Sequence, residues 1–135
     1  MVCIYCGGET QVVNSRHQIR SNQVWRRRRC KSCQNVFTSL ESPDLATSIL
    51  FVSKQGQLEP FSRDELFLSI YNALGHRKDA TEAAAALSGT VISKINPKVA
   101  NTKVSYAAIL VVTTEVLRRF DKTAATVYKA YHPIK

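Results

Sequence analysis

The sequence predicts an α+β fold in two modules. The first is a small N-terminal ribbon of short β-strands held together by four cysteines. The second is a mainly helical domain entered through a pair of strands. Three observations predict this. All four cysteines lie in the first 44 residues, as two C-x2-C pairs, and residues 45–135 contain none. The aliphatic residues concentrate in the second part, at helical spacing. Between the two, Glu41-Ser42-Pro43-Asp44 reads as a turn or short linker, because proline disfavours helix at the residue before it. The expected domains are therefore 1–44 and 45–135.

In the first module, residues 10–14, 23–28 and 35–40 are predicted strands, with Gly7-Gly8 and Ser21-Asn22 supplying turns. Roughly forty residues with so few aliphatic side chains cannot bury enough apolar surface to fold unaided. Something must staple them.

The second module opens with an apolar run at 49–53 that reads as a strand, and Lys54-Gln55-Gly56-Gln57 is placed as the turn of a hairpin. Ser62-Arg63-Asp64-Glu65 is a capping box: Ser62 Oγ can accept the Glu65 amide, and the Glu65 carboxylate can reach back to Ser62. Phe61 and Leu66 flank it as a hydrophobic staple. The helix that follows presents Leu66, Phe67, Ile70, Tyr71 and Leu74 on one face and meets Gly75 as a C-terminal cap. A second helix is predicted over 81–95, with Ala84, Leu87, Val91 and Ile95 inward, stopping at Asn96-Pro97. A third starts at a Ser105 cap and carries Tyr106, Ile109, Leu110, Thr113, Val116, Leu117 and Phe120. A shorter fourth, over 123–131, offers Ala124, Val127, Tyr128 and Tyr131.

Cys3-Ile-Tyr-Cys6 and Cys30-Lys-Ser-Cys33 are separated by 23 residues. A two-residue gap lets a tight turn aim both sulfurs at one ion, and two such turns complete the tetrahedral thiolate shell that Zn2+ accepts. Disulfides belong to oxidising compartments. A rubredoxin-type iron shell is similar, but the surrounding arginines do not point to an electron carrier. A redox pair needs one reactive dithiol at a helix N-terminus, not two matched pairs in turns. One structural zinc on Cys3, Cys6, Cys30 and Cys33 is the reading that also supplies the missing staple. Four thiolates leave no open position, so the ion is not catalytic. His17, His76 and His132 are scattered and read as surface histidines.

Lys and Arg number 19 against 10 Asp and Glu, a formal charge of +9. The charge is densest at Trp25-Arg26-Arg27-Arg28-Arg29, which runs straight into the second cysteine pair, with Lys31 inside that pair and Arg16 and Arg20 on the preceding loop. In a strand, Arg26 and Arg28 face one side and Arg27 and Arg29 the other. A rigid ribbon bearing guanidiniums suits phosphate contacts, so Arg16, Arg26, Arg27, Arg28, Arg29 and Lys31 are the candidate nucleic-acid contacts. Read without a ligand, the same run is a solvated basic face. Trp25 can stack on a base or an arginine, or serve as a core residue of the ribbon.

Some classes are excluded. With 44% hydrophobic and 21% charged residues the composition is that of a folded chain. The longest apolar run, 107–112, falls far short of the roughly 20 residues a membrane span needs. Cys3 and Cys6 occupy the place where a secretory leader's apolar region begins, so a cytoplasmic protein is expected. No P-loop is present and no Ser/His/Asp or Cys/His nucleophilic set can be assembled, so an enzyme is not expected.

These residues together resemble a known family. Cys3-x-x-Cys6-Gly7, Asn14-Ser15-Arg16, Arg26 to Arg29, Cys30-x-x-Cys33 and Phe37-Thr38-Ser39-x-Glu41 follow, in order and spacing, the zinc-ribbon half of the NrdR family. Phe51-Val52-Ser53-Lys54-Gln55-Gly56, Glu59-Pro60-Phe61-Ser62-Arg63 and Val127-Tyr128-Lys129 are similar to its ATP-cone. The resemblance implies a transcriptional repressor of ribonucleotide reductase operons. Its ribbon would bind double-stranded promoter DNA, and its cone would bind ATP or dATP as effector and alter homo-oligomerisation. It assigns Lys54 and Arg63 to the nucleotide phosphates and Glu59 to the nucleoside. The chain departs from the family's pattern in four places. Ser53-Lys54 stands for a Lys-Arg pair, Glu65 for a lysine, and Asn14 for an acid. The segment between Asp121 and Val127 is shorter and loses a Tyr-x-Arg-Phe stretch. Two other readings stay open: an RNA- or ribosome-associated ribbon protein with the helical half as platform, and an accessory protein that binds the reductase itself without DNA.

Overall fold

In the computed structural model, which describes residues 1–133, the chain divides into two units, Met1–Pro43 and Asp44–Lys135. The first unit is a three-stranded antiparallel sheet, β1 (Thr10–Gln18), β2 (Gln23–Cys30) and β3 (Val36–Glu41), with β2 in the centre. The β1–β2 turn passes through Asn22 at φ 50°, a left-handed position that asparagine tolerates well. The register is broken once: Val12 stands opposite Arg28 and Asn14 opposite Arg27, leaving Val13 as the extra residue of a β-bulge. The apolar core of this unit is Cys3, Cys30 and Phe37, with Cys33 against it.

The second unit opens with a four-residue helix, α1 (Leu45–Ser48), capped by Asp44. The residues 41–44 read as a linker thus end in a helix cap. Next come β4 (Leu50–Val52) and β5 (Leu58–Pro60), joined by a turn in which Gly56 has φ +78°, a left-handed backbone conformation that strains any residue with a side chain. The expected strand pair is in fact a three-stranded sheet. β6 (Lys103–Ser105) adds to the other side of β4 in parallel, in the order β5-β4-β6. A three-residue strand has too little alternation to show in the sequence, and its pairing partner lies some fifty residues earlier.

Four longer helices follow: α2 (Arg63–Ala73), α3 (Ala80–Ile95), α4 (Tyr106–Phe120) and α5 (Lys122–Tyr131). Ser62 Oγ accepts the Glu65 amide at 3.1 Å, and Ser105 Oγ accepts the Ala108 amide at 3.1 Å, so both serine caps form. The inward faces meet in one core that includes Phe61, Leu66, Ile70, Leu74, Val91 and Leu117. Three predicted inward residues, Tyr71, Phe120 and Tyr131, are exposed instead, and Ala73, Val112 and Ala125 are buried in addition. Two of those outliers have other work. Tyr71 stacks on Phe67 with ring centroids 6.1 Å apart, and Phe120 lies under the Arg77 guanidinium at 4.8 Å. No helix among the described residues is long and apolar enough to cross a membrane.

Asp121 joins two parts of this core. Its Oδ1 accepts the Ala124 amide at 3.0 Å and so caps α5, while Oδ2 meets His76 Nε2 at 2.9 Å and Arg77 Nη1 at 3.2 Å. His76 is exposed, as expected, and pairs with Asp121 from the α2–α3 connection. The Ala124 amide first, then His76 and Arg77, hold the Asp121 carboxyl down at about 2. A carboxyl depressed in the fold stabilises it above its unfolded pKa and ceases to do so as pH falls through the folded value. Asp121→Ala is expected to lower the stability of the helical unit by about 1 kcal/mol at pH 7. Urea titrations followed at 222 nm should show this gap closing between about pH 4 and pH 2.

Candidate metal centre and nucleic-acid interface

The four cysteine sulfurs arrive from two turns. In the first, the Gly7 amide donates to Cys3 O at 2.9 Å and the Tyr5 amide points at Cys3 Sγ at 3.4 Å. In the second, the Cys33 amide points at Cys30 Sγ at 3.5 Å. The Cys3 amide closes the first turn by donating to Gly8 O at 2.8 Å, and the Lys31 amide ties the second turn to the first by donating to Glu9 O at 2.9 Å. All four sulfurs lie within 4.8 Å of one another. A tetrahedron with Zn–S of about 2.3 Å has edges of about 3.8 Å. The Cys3–Cys33 and Cys6–Cys30 sulfur pairs stand 3.7 and 3.5 Å apart. The donor set and its spacing therefore fit one tetrahedral zinc.

Electrostatics favour the same occupant. The Cys33 amide first, with help from the Ser32 amide and against the cost of burial, holds the Cys30 thiol down at about 6. The Gly8 amide pulls the Cys6 thiol down, but contacts from Cys30 and Cys33 together with burial outweigh it and push Cys6 up to about 12. Four thiols this close cannot all ionise by themselves. A divalent cation replaces the shared protons and lets them do so. Gly8 is required by space: a Cβ there would stand 2.8 Å from Ser32 Oγ and 3.3 Å from Cys30 Sγ.

The strand that ends at Cys30 displays the arginines. Arg26 and Arg28 are half-buried on the face that also carries Cys30 and Phe37. Arg26 pairs with Glu41 at 3.2 Å, and Arg28 Nε donates to Ser39 Oγ at 2.9 Å. Arg27 and Arg29 are exposed on the opposite face. There Arg27 Nη1 donates to Thr38 Oγ1 at 3.2 Å, and the Arg16 guanidinium lies over the Trp25 ring at 5.8 Å. Lys31 is paired with Glu9 at 2.6 Å, an exposed pair worth little to stability and easily exchanged for a phosphate. Trp25 is half-buried and partners an arginine.

In the helical unit a cavity of about 200 Å³ opens beside the β4–β5 hairpin, with Phe51, Ser62, Glu65, Ser69, Tyr106 and His132 among its walls. Lys54, Glu59 and Arg63 do not line it. Lys54 Nζ donates to the Pro133 carbonyl at 2.8 Å and lies over the Tyr106 ring at 4.8 Å, at the cavity's flank. Glu59 is exposed on β5, and Arg63 is exposed on the first turn of α2. His132, expected at the surface, is half-buried: it bonds Ser69 Oγ at 2.9 Å and packs on the Tyr128 ring at 4.4 Å. Burial first, then the Lys54 charge, lowers its pKa, so the ring is neutral at pH 7. The cavity wall thus offers aromatic surface, hydroxyls and one carboxylate. The four-residue spacing from Tyr128 to His132 across the end of α5 was the available sign of this contact.

Residues 1–41 match the family described as "Transcriptional repressor NrdR-like, N-terminal domain". Over almost its whole length the chain is similar to proteins named transcriptional repressor NrdR. It is 32% identical to that of Methylibium petroleiphilum over 139 residues, covering 99% of this chain and 93% of the relative. It is 34% identical to that of Halorhodospira halophila, covering 99% and 88%. It is 31% identical to that of Symbiobacterium thermophilum, covering 97% and 89%.

The metal centre makes a direct prediction. Purified chain should carry one zinc, and Co2+ in its place should give the spectrum of a tetrahedral thiolate site. Cys30→Ser should lose the metal and the β-sheet of the first unit together. Elemental analysis and the cobalt spectrum check the first loss; amide exchange in residues 10–41 checks the second.

Proposed function

The chain belongs to the NrdR family of transcriptional repressors, and from that premise we propose that it is a zinc-dependent repressor that binds promoter DNA of ribonucleotide reductase genes. One observation carries the reading. Cys30, a ligand of the thiolate shell, is the last residue of the strand that displays Arg26 to Arg29. Metal and basic surface are therefore one rigid object. Cys3, Cys6, Cys30 and Cys33 would hold the ion, whose chemistry is structural: it neutralises and fixes four thiolates. The centre then carries a charge of about −2, which brings the formal +9 to about +7, still strongly favourable for a polyanion. Arg16, Arg26, Arg27, Arg28, Arg29 and Lys31 supply the basic charge of the ribbon, divided between its two faces. Each phosphate neutralised steepens the fall of log K with log salt by about 0.9.

The helical unit is the proposed sensor. An adenine ring suits the aromatic cavity, which offers no cation among its described walls, and the phosphates would then extend toward Lys54 and Arg63, with Glu59 as polar contact. Lys54 must exchange the Pro133 carbonyl for a phosphate, a step that couples occupancy to the end of α5. ATP and dATP can shift homo-oligomerisation only if they bind the assembly states with different affinity.

The test is a fluorescence-anisotropy titration of zinc-loaded chain onto a reductase-promoter duplex and a scrambled duplex, with ATP, dATP or neither. Promoter preference that changes with nucleotide is the expected result. Preference indifferent to nucleotide removes the sensor and keeps the repressor. Equal binding of both duplexes removes the repressor, and preference for structured RNA would replace it with an RNA-binding role.

A further inference from the structure

The two faces of the three-stranded sheet differ in kind. One is the metal face, with Cys30 and Phe37 buried on it and Arg26 tied to the Glu41 carboxylate. On the other, cross-strand partners line up as Arg16 with Trp25 and Leu40, Asn14 with Arg27 and Thr38, and Gln11 with Arg29 and Val36. Residues directly opposite one another share a face. The strands therefore put Arg16, Arg27 and Arg29 on this second face together and no carboxylate among them. At its metal end the next acid, Glu9, is already paired with Lys31.

The bulge creates this grouping. In an unbroken register Asn14 would stand opposite Arg26, and Arg16 opposite Val24, both on the metal face. With Val13 as the extra residue, Asn14 stands opposite Arg27 and Arg16 opposite Trp25. Bulges re-aim side chains at sites of contact. Here the bulge moves an amide and a guanidinium onto the acid-free face.

Asn14 is also oriented. Its Oδ1 accepts the Ser15 amide at 2.8 Å, which turns its Nδ2 away as a donor, and the neighbouring Arg27 is steadied by Thr38. Strands of a β-sheet can read the major groove, where N7 of a purine, O6 of guanine and O4 of thymine are acceptors.

Resting on the DNA-binding reading above, we infer that the face bearing Asn14, Arg16, Trp25, Arg27 and Arg29 is the one laid in the major groove. Asn14 reads a base edge through Nδ2, and Arg27 and Arg29 anchor on phosphate. Arg26 and Arg28 act from the other face, by fixing β3 against β2.

The test uses full-length, zinc-loaded chain with the reductase-promoter duplex and a scrambled duplex of the same composition, each titrated across a salt series. Zinc content and far-ultraviolet circular dichroism confirm that each variant is folded. Asn14→Ala should cut promoter affinity about tenfold, leaving scrambled affinity and the salt slope unchanged, since a base contact discriminates by about 1–3 kcal/mol. Asn14→Asp, which removes the Nδ2 donor, should cut promoter preference as Asn14→Ala does. Arg27→Ala with Arg29→Ala should weaken both and flatten the salt slope by about 1.8 per chain. Arg26→Gln with Arg28→Gln should leave the slope within about 0.5 of the wild type. Promoter preference that survives Asn14→Ala overturns the inference and leaves the repressor standing. So does a slope flattened equally by the Arg26 and Arg28 changes. Wild-type chain that binds both duplexes alike overturns the inference together with the reading it rests on.

Discussion

The N-terminal unit depends on four sulfurs being forced into one small space. Its whole apolar core is Cys3, Cys30 and Phe37, with Cys33 beside them and the Tyr5 ring edge-on to Phe37 at 6.4 Å. At about 25 cal/mol per Å² of buried apolar surface, so small a cluster cannot offset the conformational entropy of some forty residues. A metal–thiolate shell supplies free energy of the needed size, because binding of structural zinc is folding free energy in units like this. Everything else about the ribbon follows from that. The strands need no hydrophobic face, so both faces of β2 are left to carry arginine. In an ordinary sheet four consecutive arginines would remove the core that holds the sheet together.

The helical unit is built by the opposite means. Its core is continuous across α2 to α5, and its helix ends are secured one by one, by Ser62, Ser105 and Asp121. Asp121 is the most connected of these, since one carboxylate caps α5 and binds both His76 and Arg77 from the α2–α3 connection. The start of α5 is therefore tightly tied to the α2–α3 connection. The residues around the cavity are held more lightly. Among the described residues, Lys54 meets the Pro133 carbonyl and the Tyr106 ring face, contacts that an anionic ligand can replace at little cost.

Much of this was legible in the sequence, for physical reasons that differ by element. Short-range rules were reliable. The serine caps, the Gly56 turn, the stop at Asn96-Pro97 and the cysteine spacing each depend on residues within a few positions of one another. Long-range pairings left little trace. β6 is Lys103-Val104-Ser105, three residues whose strand character comes from lying beside β4. Phe120 has the spacing of an inward residue of α4 but lies at the surface, because the Arg77 guanidinium gives its ring a partner outside the core. His132 read as a surface residue because its burial is made by Ser69 and Tyr128, from two other places in the chain. The bulge at Val13 had no signal in residue type, yet it decides which face Asn14 and Arg16 occupy. Alternation alone would have placed them with Arg26.

That single-residue shift also limits what one ribbon can do. One face offers three guanidiniums and one oriented amide. A good base contact discriminates by about 1–3 kcal/mol, whereas specific DNA-binding proteins prefer their sites by about 4–10 kcal/mol over random sequence. A single ribbon therefore falls short of useful specificity, however well it is placed. The deficit closes when two or more ribbons engage spaced sites at once, because the later contacts are made at a high effective concentration and their discrimination adds. On the proposed reading, repression is then governed by assembly. A helical unit that sets how many ribbons stand side by side controls DNA occupancy without touching DNA. An effector needs only to bind one assembly state better than another, and a differential of about 1–3 kcal/mol is enough to shift occupancy severalfold or more.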